Sequence, residues 1–247
     1  MNNDLFVKGI EINRDKINKT EGFDKYPFNI ELVKNFKGLN FSKPVTFFVG
    51  ENGIGKSTFI EAIAVSLGLP KEGGTQNFFY ETKDTTSILS DYLIVSKLKK
   101  PKMRFFLRAE SFYNFSTEVD RLVDENGFYE LYEVYGGSLH ECSHGESFLQ
   151  LVKNKFTGQG LYILDEPEAA LSPQRQLTLL CLIDDLVKRG SQFIIATHSP
   201  ILISYRDGEI LNLNNNFSKT DYKDTEIYSI YKMFLDDSLG MQHRLFD

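Results

Sequence analysis

The run Gly50-Glu51-Asn52-Gly53-Ile54-Gly55-Lys56-Ser57 fits G-x-x-x-x-G-K-[ST], and it constrains the fold more than any other stretch of the 247 residues. Just before it, Pro44 to Val49 is a near-continuous apolar, β-branched and aromatic run, the pattern of a strand buried on both faces of a parallel sheet. Just after it, Ile60, Ile63, Ala64 and Leu67 recur at helical spacing until Gly68 and Pro70 stop the helix. Strand, glycine loop and helix in that order aim backbone N–H groups and the positive end of a helix at a phosphate-sized nest. Gly50, Glu51, Asn52, Gly53, Ile54, Gly55, Lys56, Ser57 and Thr58 are therefore expected to hold the phosphates of a nucleotide. Lys56 would reach the β- and γ-phosphates, and the Ser57 hydroxyl would ligate Mg²⁺.

The second half of the chain alternates strand and helix, as a layered α/β domain with a mainly parallel sheet should. Leu161 to Leu164 reads as a short buried strand, with Asp165 and Glu166 at its C-terminal end, where ligands of open α/β sheets bind. Asp165 would serve the metal, and Glu166 is placed to deprotonate an attacking water. Ser172-Pro173 supplies an N-cap and an N1 proline for a helix with the apolar stripe Leu177, Leu180, Ile183 and Val187, closed by Lys188, Arg189 and Gly190. Gln192 to Thr197 is a third core strand ending in His198-Ser199-Pro200. His198 follows Glu166 by 32 positions, one helix and one strand away, which brings it to the same edge, where it could polarise the γ-phosphate.

Elsewhere the pattern is weaker. Leu5 to Ile12 and Phe28 to Val33 read as two strands of an N-terminal antiparallel layer, with Tyr26-Pro27 as a turn between them. A Gly-Gly loop, a helix near Ile88 to Leu98, a strand at Met103 to Ala109 and a stretch rich in Phe and Tyr suggest a small helical insertion, roughly residues 71–150, in a single domain of 1–247. A final amphipathic helix is expected from Glu226 to Leu235. An apolar fraction of 41% supports a sizeable core, while no apolar run approaches the roughly 18 residues needed to span a bilayer. Asn2, Asn3 and Asp4 stand where a secretory signal would be basic, and Cys142 and Cys181 read as reduced thiols, so a cytoplasmic location is expected. A net charge of −6 argues against a protein that coats nucleic acid over its whole surface. The densest basic run is Lys97, Lys99, Lys100, Lys102, Arg104 and Arg108, which a solvated face explains as readily as a phosphate-binding patch.

The phosphate loop, Asp165-Glu166-Pro167, Ala169-Ala170-Leu171-Ser172 and His198, in that order, resemble the nucleotide-binding domain of the ABC ATPase superfamily. Cys142-Ser143-His144-Gly145-Glu146-Ser147 resembles the family's signature L-S-G-G-Q/E, with Cys for Leu and His for the first Gly. The resemblance implies that Ser143, His144, Gly145 and Glu146 of one subunit close over the γ-phosphate held by another, in an ATP-dependent head-to-tail homodimer. It also implies a Q-loop residue on the metal side of the site, a place open to Glu110, to Gln76, or to neither if Glu110 is a plain surface residue. An aromatic stacked on adenine would be Tyr26 or Phe28, although core packing serves both equally well. Glu168-Ala169-Ala170-Leu171-Ser172-Pro173 is similar to soluble RecF-like, chromosome-maintenance and overcoming-lysogenization-defect ATPases more than to transporter subunits. Only 85 residues lie between Ser57 and Ser143, too few for long coiled-coil arms, so the chain most resembles compact stand-alone bacterial AAA-family ATPases. The implied activity is Mg²⁺-dependent ATP hydrolysis. The output partner is left open between DNA, in a repair or defence process, and a protein effector under ATP-gated control, with a transporter motor as a third reading.

Overall fold

In the computed structural model, which describes residues 5–75, 88–135, 137–138 and 143–246, β1 (Val7–Ile12) is followed by α1 (Arg14–Thr20), α2 (Glu31–Asn35), β2 (Leu39–Asn40), β3 (Val45–Val49) and α3 (Lys56–Ser66). A 3-10 turn at Ile88–Tyr92 leads into β4 (Leu93–Lys97) and β5 (Met103–Arg108). Next come α4 (Phe112–Asn126), α5 (Glu130–Tyr135), α6 (His144–Lys155) and β6 (Gly160–Asp165). The chain then runs through α7 (Pro173–Lys188), β7 (Gln192–Ala196), β8 (Gly208–Asn212), β9 (Ser218–Thr220), α8 (Glu226–Asp236) and α9 (Ser238–Phe246).

The main sheet has the order β5-β6-β7-β3-β8-β9, parallel throughout except for β9, which pairs antiparallel with β8. Its two faces are read directly from the side-chain alternation of β6. Leu161 and Ile163 join Phe48, Phe59, Ile60 and Ile63 under α3, whereas Tyr162 and Leu164 join Phe115, Val119, Phe148, Leu179 and Ile183 under α4, α6 and α7. Each fully buried aromatic or aliphatic side chain of this kind contributes about 1.5–3 kcal/mol. Because the strands are parallel, Val49, Asp165 and Ala196 finish at one edge, and the register sets Arg108 opposite Asp165 and Asp165 opposite Ala196.

A second sheet, β2-β1-β4, is antiparallel and packs over α3. Its strands differ from those expected. Phe28 to Val33 is not a strand: Leu32 and Val33 are buried from the short helix α2, and Phe28 is fully buried edge-on against Tyr92. The expected helix at Ile88 to Leu98 is instead the 3-10 turn and β4, which pairs with β1. Short apolar runs do not distinguish the two conformations locally, and the pairing with β1, distant in the sequence, decides. In α7 the buried stripe is Leu179, Ile183 and Leu186, while Leu177 is exposed. The two sheets are joined by Gln192, fully buried at the start of β7. Its Oε1 accepts from Phe6 N (2.8 Å) and Val7 N (3.0 Å), and its Nε2 donates to Val7 O (3.0 Å). The final amphipathic helix is present as α8, but no residue of α8 or α9 is buried. No helix among the described residues is long and apolar enough to cross a membrane.

Candidate nucleotide site

The glycine loop leaves β3 with Gly53 at φ +81° and Gly55 at φ +103°, backbone values that side-chain-bearing residues rarely adopt. That turn is what lets α3 begin directly at Lys56 with its N–H groups facing the loop. Lys56 folds back over the loop, donating to Gly50 O (3.0 Å) and Glu51 O (2.8 Å). Burial pulls its ammonium below the usual lysine range, and the negative charges of Glu166, Asp165 and Glu168 act against that. Asn214 Oδ1 accepts from Glu51 N (3.0 Å), so the turn after β8 props the outer side of the loop.

Across the loop, Ser57 Oγ donates to Asp165 Oδ1 at 3.3 Å. Asp165 is 3% exposed, and burial pushes its carboxyl up to about 7 even though the Arg108 guanidinium works in the opposite direction. Glu166 takes a left-handed backbone conformation, φ +50°, a strained state for a residue with a Cβ. The bend turns its side chain out of the strand, leaving it 41% exposed, with Oε1 3.7 Å from His198 Nε2. That nitrogen is buried and lacks a hydrogen-bond partner. Burial and the positive charge of Lys56 hold the imidazole below its ordinary value, which favours the neutral ring.

Two residues that the motif reading did not place at the site prove central to it. Glu168 sits in the 3-10 turn Pro167–Ala170, where its Oε1 accepts from His198 N (2.5 Å) and its Oε2 from Thr197 Oγ1 (2.7 Å). The carboxylate thereby fixes the backbone that carries His198. Burial raises its pKa, against the pull of those hydrogen bonds. Arg108, assigned by sequence only to a basic run, reaches Glu61 Oε2 (3.0 Å), Glu110 Oε2 (3.2 Å) and Asp165 Oδ2 (3.5 Å). The positions of Arg108 and Glu168, at the end of β5 and in the turn after β6, could have flagged them, but charge alone carries no such information.

Residues 19–133 match a family model described as an AAA domain, and residues 145–204 match a second AAA domain model, associated with the AbiEii toxin of a Type IV TA system. The energy-coupling factor transporter ATP-binding protein EcfA2 of Mesomycoplasma hyopneumoniae is 24% identical over 216 residues, covering 69% of each chain. The cobalt import ATP-binding protein CbiO of Salmonella typhimurium is 27% identical over 185 residues, covering 68% of this chain and 67% of its own. The chain is a P-loop ATPase, similar to AAA domains and to transporter ATP-binding proteins. Among solved structures, the SMC head domain from Thermotoga maritima aligns with 84% of this ATPase and 95% of its own chain, at 18% identity and a TM-score of 0.39.

In this ATPase the segment Ser143 to Glu146 stands at the start of α6. The Glu146 carboxylate accepts from Ser143 N (3.1 Å) and Ser143 Oγ (2.6 Å) and pairs with Arg175 (2.9 Å). A Cβ on Gly145 would come within 2.7 Å of Ala170 O, so a glycine is needed for α6 to lie this close to the turn after Asp165. The His144 side chain, Cys142 and Gln76 lie outside the described residues. Tyr26 is 64% exposed, with its hydroxyl 3.2 Å from Thr58 Oγ1, so core packing does not describe it, whereas it does describe Phe28. Tyr26 and Ser57 help line a cavity of about 740 Å³ that runs on to Glu61, Arg108 and Glu110. The basic run does not form one patch beside the site. Lys97 to Lys102 precede β5, about 17 Å along the strand from Arg108, and Arg104 donates to Leu67 O.

Proposed function

We propose that the ATPase binds ATP through Gly50 to Thr58 and hydrolyses it with Glu166 as general base. Glu166 takes a proton from a water whose oxygen attacks the γ-phosphorus, and the bond to the β,γ-bridging oxygen breaks with its electron pair leaving on ADP. Lys56 moves from the Gly50 and Glu51 carbonyls to the phosphates, and neutral His198, protonated at Nε2, donates that N–H to a γ-phosphate oxygen. Ser57 and Asp165, with Glu110 within reach of the same cavity, would hold Mg²⁺; a hydroxyl and one carboxylate suit a metal that keeps waters and takes its other oxygens from phosphate. When bound, the metal would neutralise charge on the phosphate oxygens.

The observation that carries this reading is the strained backbone at Glu166, which turns a carboxylate out of a buried strand to within 3.7 Å of His198. Ser143 to Glu146 of a second copy would complete the site, giving closure of a head-to-tail homodimer driven by ATP. The test is steady-state hydrolysis with separate nucleotide binding: Glu166→Gln should bind ATP normally and turn over at least about a hundredfold more slowly. Near-normal turnover would remove Glu166 as the base.

For the output of closure, the match to an AAA model associated with a toxin of a Type IV TA system supports a defence-linked role. The placement of Lys97 to Lys102 away from the nucleotide edge lends no support to a duplex groove over the two ATPs. A second reading, an ATP-gated module acting on a protein effector, is favoured by the exposed Ile230, Tyr231, Met233, Phe234 and Leu239 on α8 and α9. The curated relatives are transporter ATP-binding proteins, which supports a transporter motor as the third reading.

A further inference from the structure

Arg108 is the one cation that meets the buried carboxylate Asp165 among the ion pairs of the described residues. It ends β5 directly opposite Asp165 in the parallel register, and its side chain is only 17% exposed. The three links it makes are unequal. Nη1 donates to Glu61 at 3.0 Å and Nη2 pairs with Glu110 at 3.2 Å, whereas Nε lies 3.5 Å from Asp165, buried and without a hydrogen bond. Asp165 therefore depends on Arg108 for charge but not for a directional bond. A carboxylate at 3% exposure requires a nearby cation to remain ionised.

We propose that Arg108 is a positioning residue that stands in for the metal at Asp165 until nucleotide arrives, so that a divalent cation binds only together with the triphosphate. The inference rests on the reading of Ser57 and Asp165 as the metal site. A guanidinium and a divalent ion cannot both sit against one carboxylate without strong mutual repulsion, so an ion arriving alone needs negative charge beyond Asp165 to displace Arg108. The incoming phosphates add that charge. Asp165 can then exchange its partner without breaking a hydrogen bond, while Glu61, at 3.0 Å, keeps the displaced guanidinium neutralised. Arg108 thus protects the site from idle metal and ties metal entry to ATP.

Mn²⁺ serves as the probe, with bound and free ion separated by electron paramagnetic resonance on the whole chain, with and without a non-hydrolysable ATP analogue. Wild type should bind Mn²⁺ strongly only with the analogue present. Arg108→Gln should bind it without nucleotide at least about tenfold more tightly than wild type does, and Arg108→Lys, which keeps the charge, should stay close to wild type. A residue that merely supported the fold would weaken metal binding when removed, the opposite direction. The double variant Arg108→Gln with Asp165→Asn should lose the nucleotide-free binding. The proposal is overturned if wild type binds Mn²⁺ equally with and without the analogue, which needs no variant to fold. It is also overturned if Arg108→Gln gains nothing while both proteins bind Mn²⁺ with the analogue, a result that spares the metal site. If the analogue binds but recruits no Mn²⁺ to wild type, the metal-site reading falls and this inference falls with it.

Discussion

Glu209 shows how a single buried acid is held in its charged form far from the nucleotide. It is the second residue of β8, at the end of the sheet remote from the site, with its side chain 6% exposed. Burial alone would raise its pKa. Lys219 at 2.8 Å, the Ser42 hydroxyl at 2.6 Å and Ser42 N at 2.7 Å outweigh it and hold the carboxyl below its ordinary value of 4.5. Between the two values the native state binds fewer protons than the unfolded chain. The pair's stabilisation is therefore present above about pH 4.5 and is lost as the pH falls through the lower, folded-state value. Glu209→Gln should cost about 1–3 kcal/mol at pH 7, measured by urea unfolding, and the gap to wild type should close at acid pH. A gap that persists unchanged to pH 3 would place the effect in packing and not in charge.

At the scale of elements, the turn Pro167–Ala170 is the joint between Glu166, the proposed base, and the backbone that carries His198. Glu168→Ala would leave the His198 N–H and the Thr197 hydroxyl without an acceptor, at about 1–3 kcal/mol each. The prediction is a lower melting temperature together with a fall in kcat, and a KM for ATP that stays near wild type because the glycine loop is untouched. Glu168→Gln should recover part of both losses, since its amide oxygen still accepts one of the two bonds. How far these elements are legible follows from what surrounds them. β3, β6 and β7 are buried on both faces, so Val45–Val49, Leu161–Leu164 and Gln192–Ala196 read as near-continuous apolar runs, and each is followed by its motif. β4 has no such mark: Ile94, Ser96 and Lys97 are exposed, and it is a strand only because β1 pairs with it. Glu168 and Arg108 were hidden for a related reason, because Thr197 and His198 after β7, Glu61 on α3 and Asp165 on β6 lie far from them in the sequence. Phe28–Val33 offered apolar residues at spacings that a helix and a strand satisfy equally.

For the molecule as a whole, assembly is the property that the site leaves incomplete. Within one chain, Ser143 and Glu146 meet Arg175, and Gly145 faces Ala170, so among the described residues this segment packs against the chain that follows Asp165. Light scattering of Glu166→Gln should give a monomer without nucleotide and a dimer with Mg²⁺ and ATP. Adding Ser143→Arg should abolish the dimer while ATP binding by the monomer stays largely intact. A monomer at saturating ATP would end the sandwich reading.

The Gln192 side chain has a consequence for how the two sheets move. The amides of Phe6 and Val7 belong to the margin of a small antiparallel sheet, where fraying would ordinarily let them swap protons with solvent quickly. Both are instead bonded to a side chain rooted in β7, the middle of the parallel sheet. In deuterated water they should exchange on the slow clock of the central strands. Gln192→Leu, close in size but without the amide, should speed Phe6 and Val7 while leaving Phe47 and Ile194 slow. The N-terminal sheet would then open by itself, and the two layers over α3 would no longer respond to nucleotide as one rigid body.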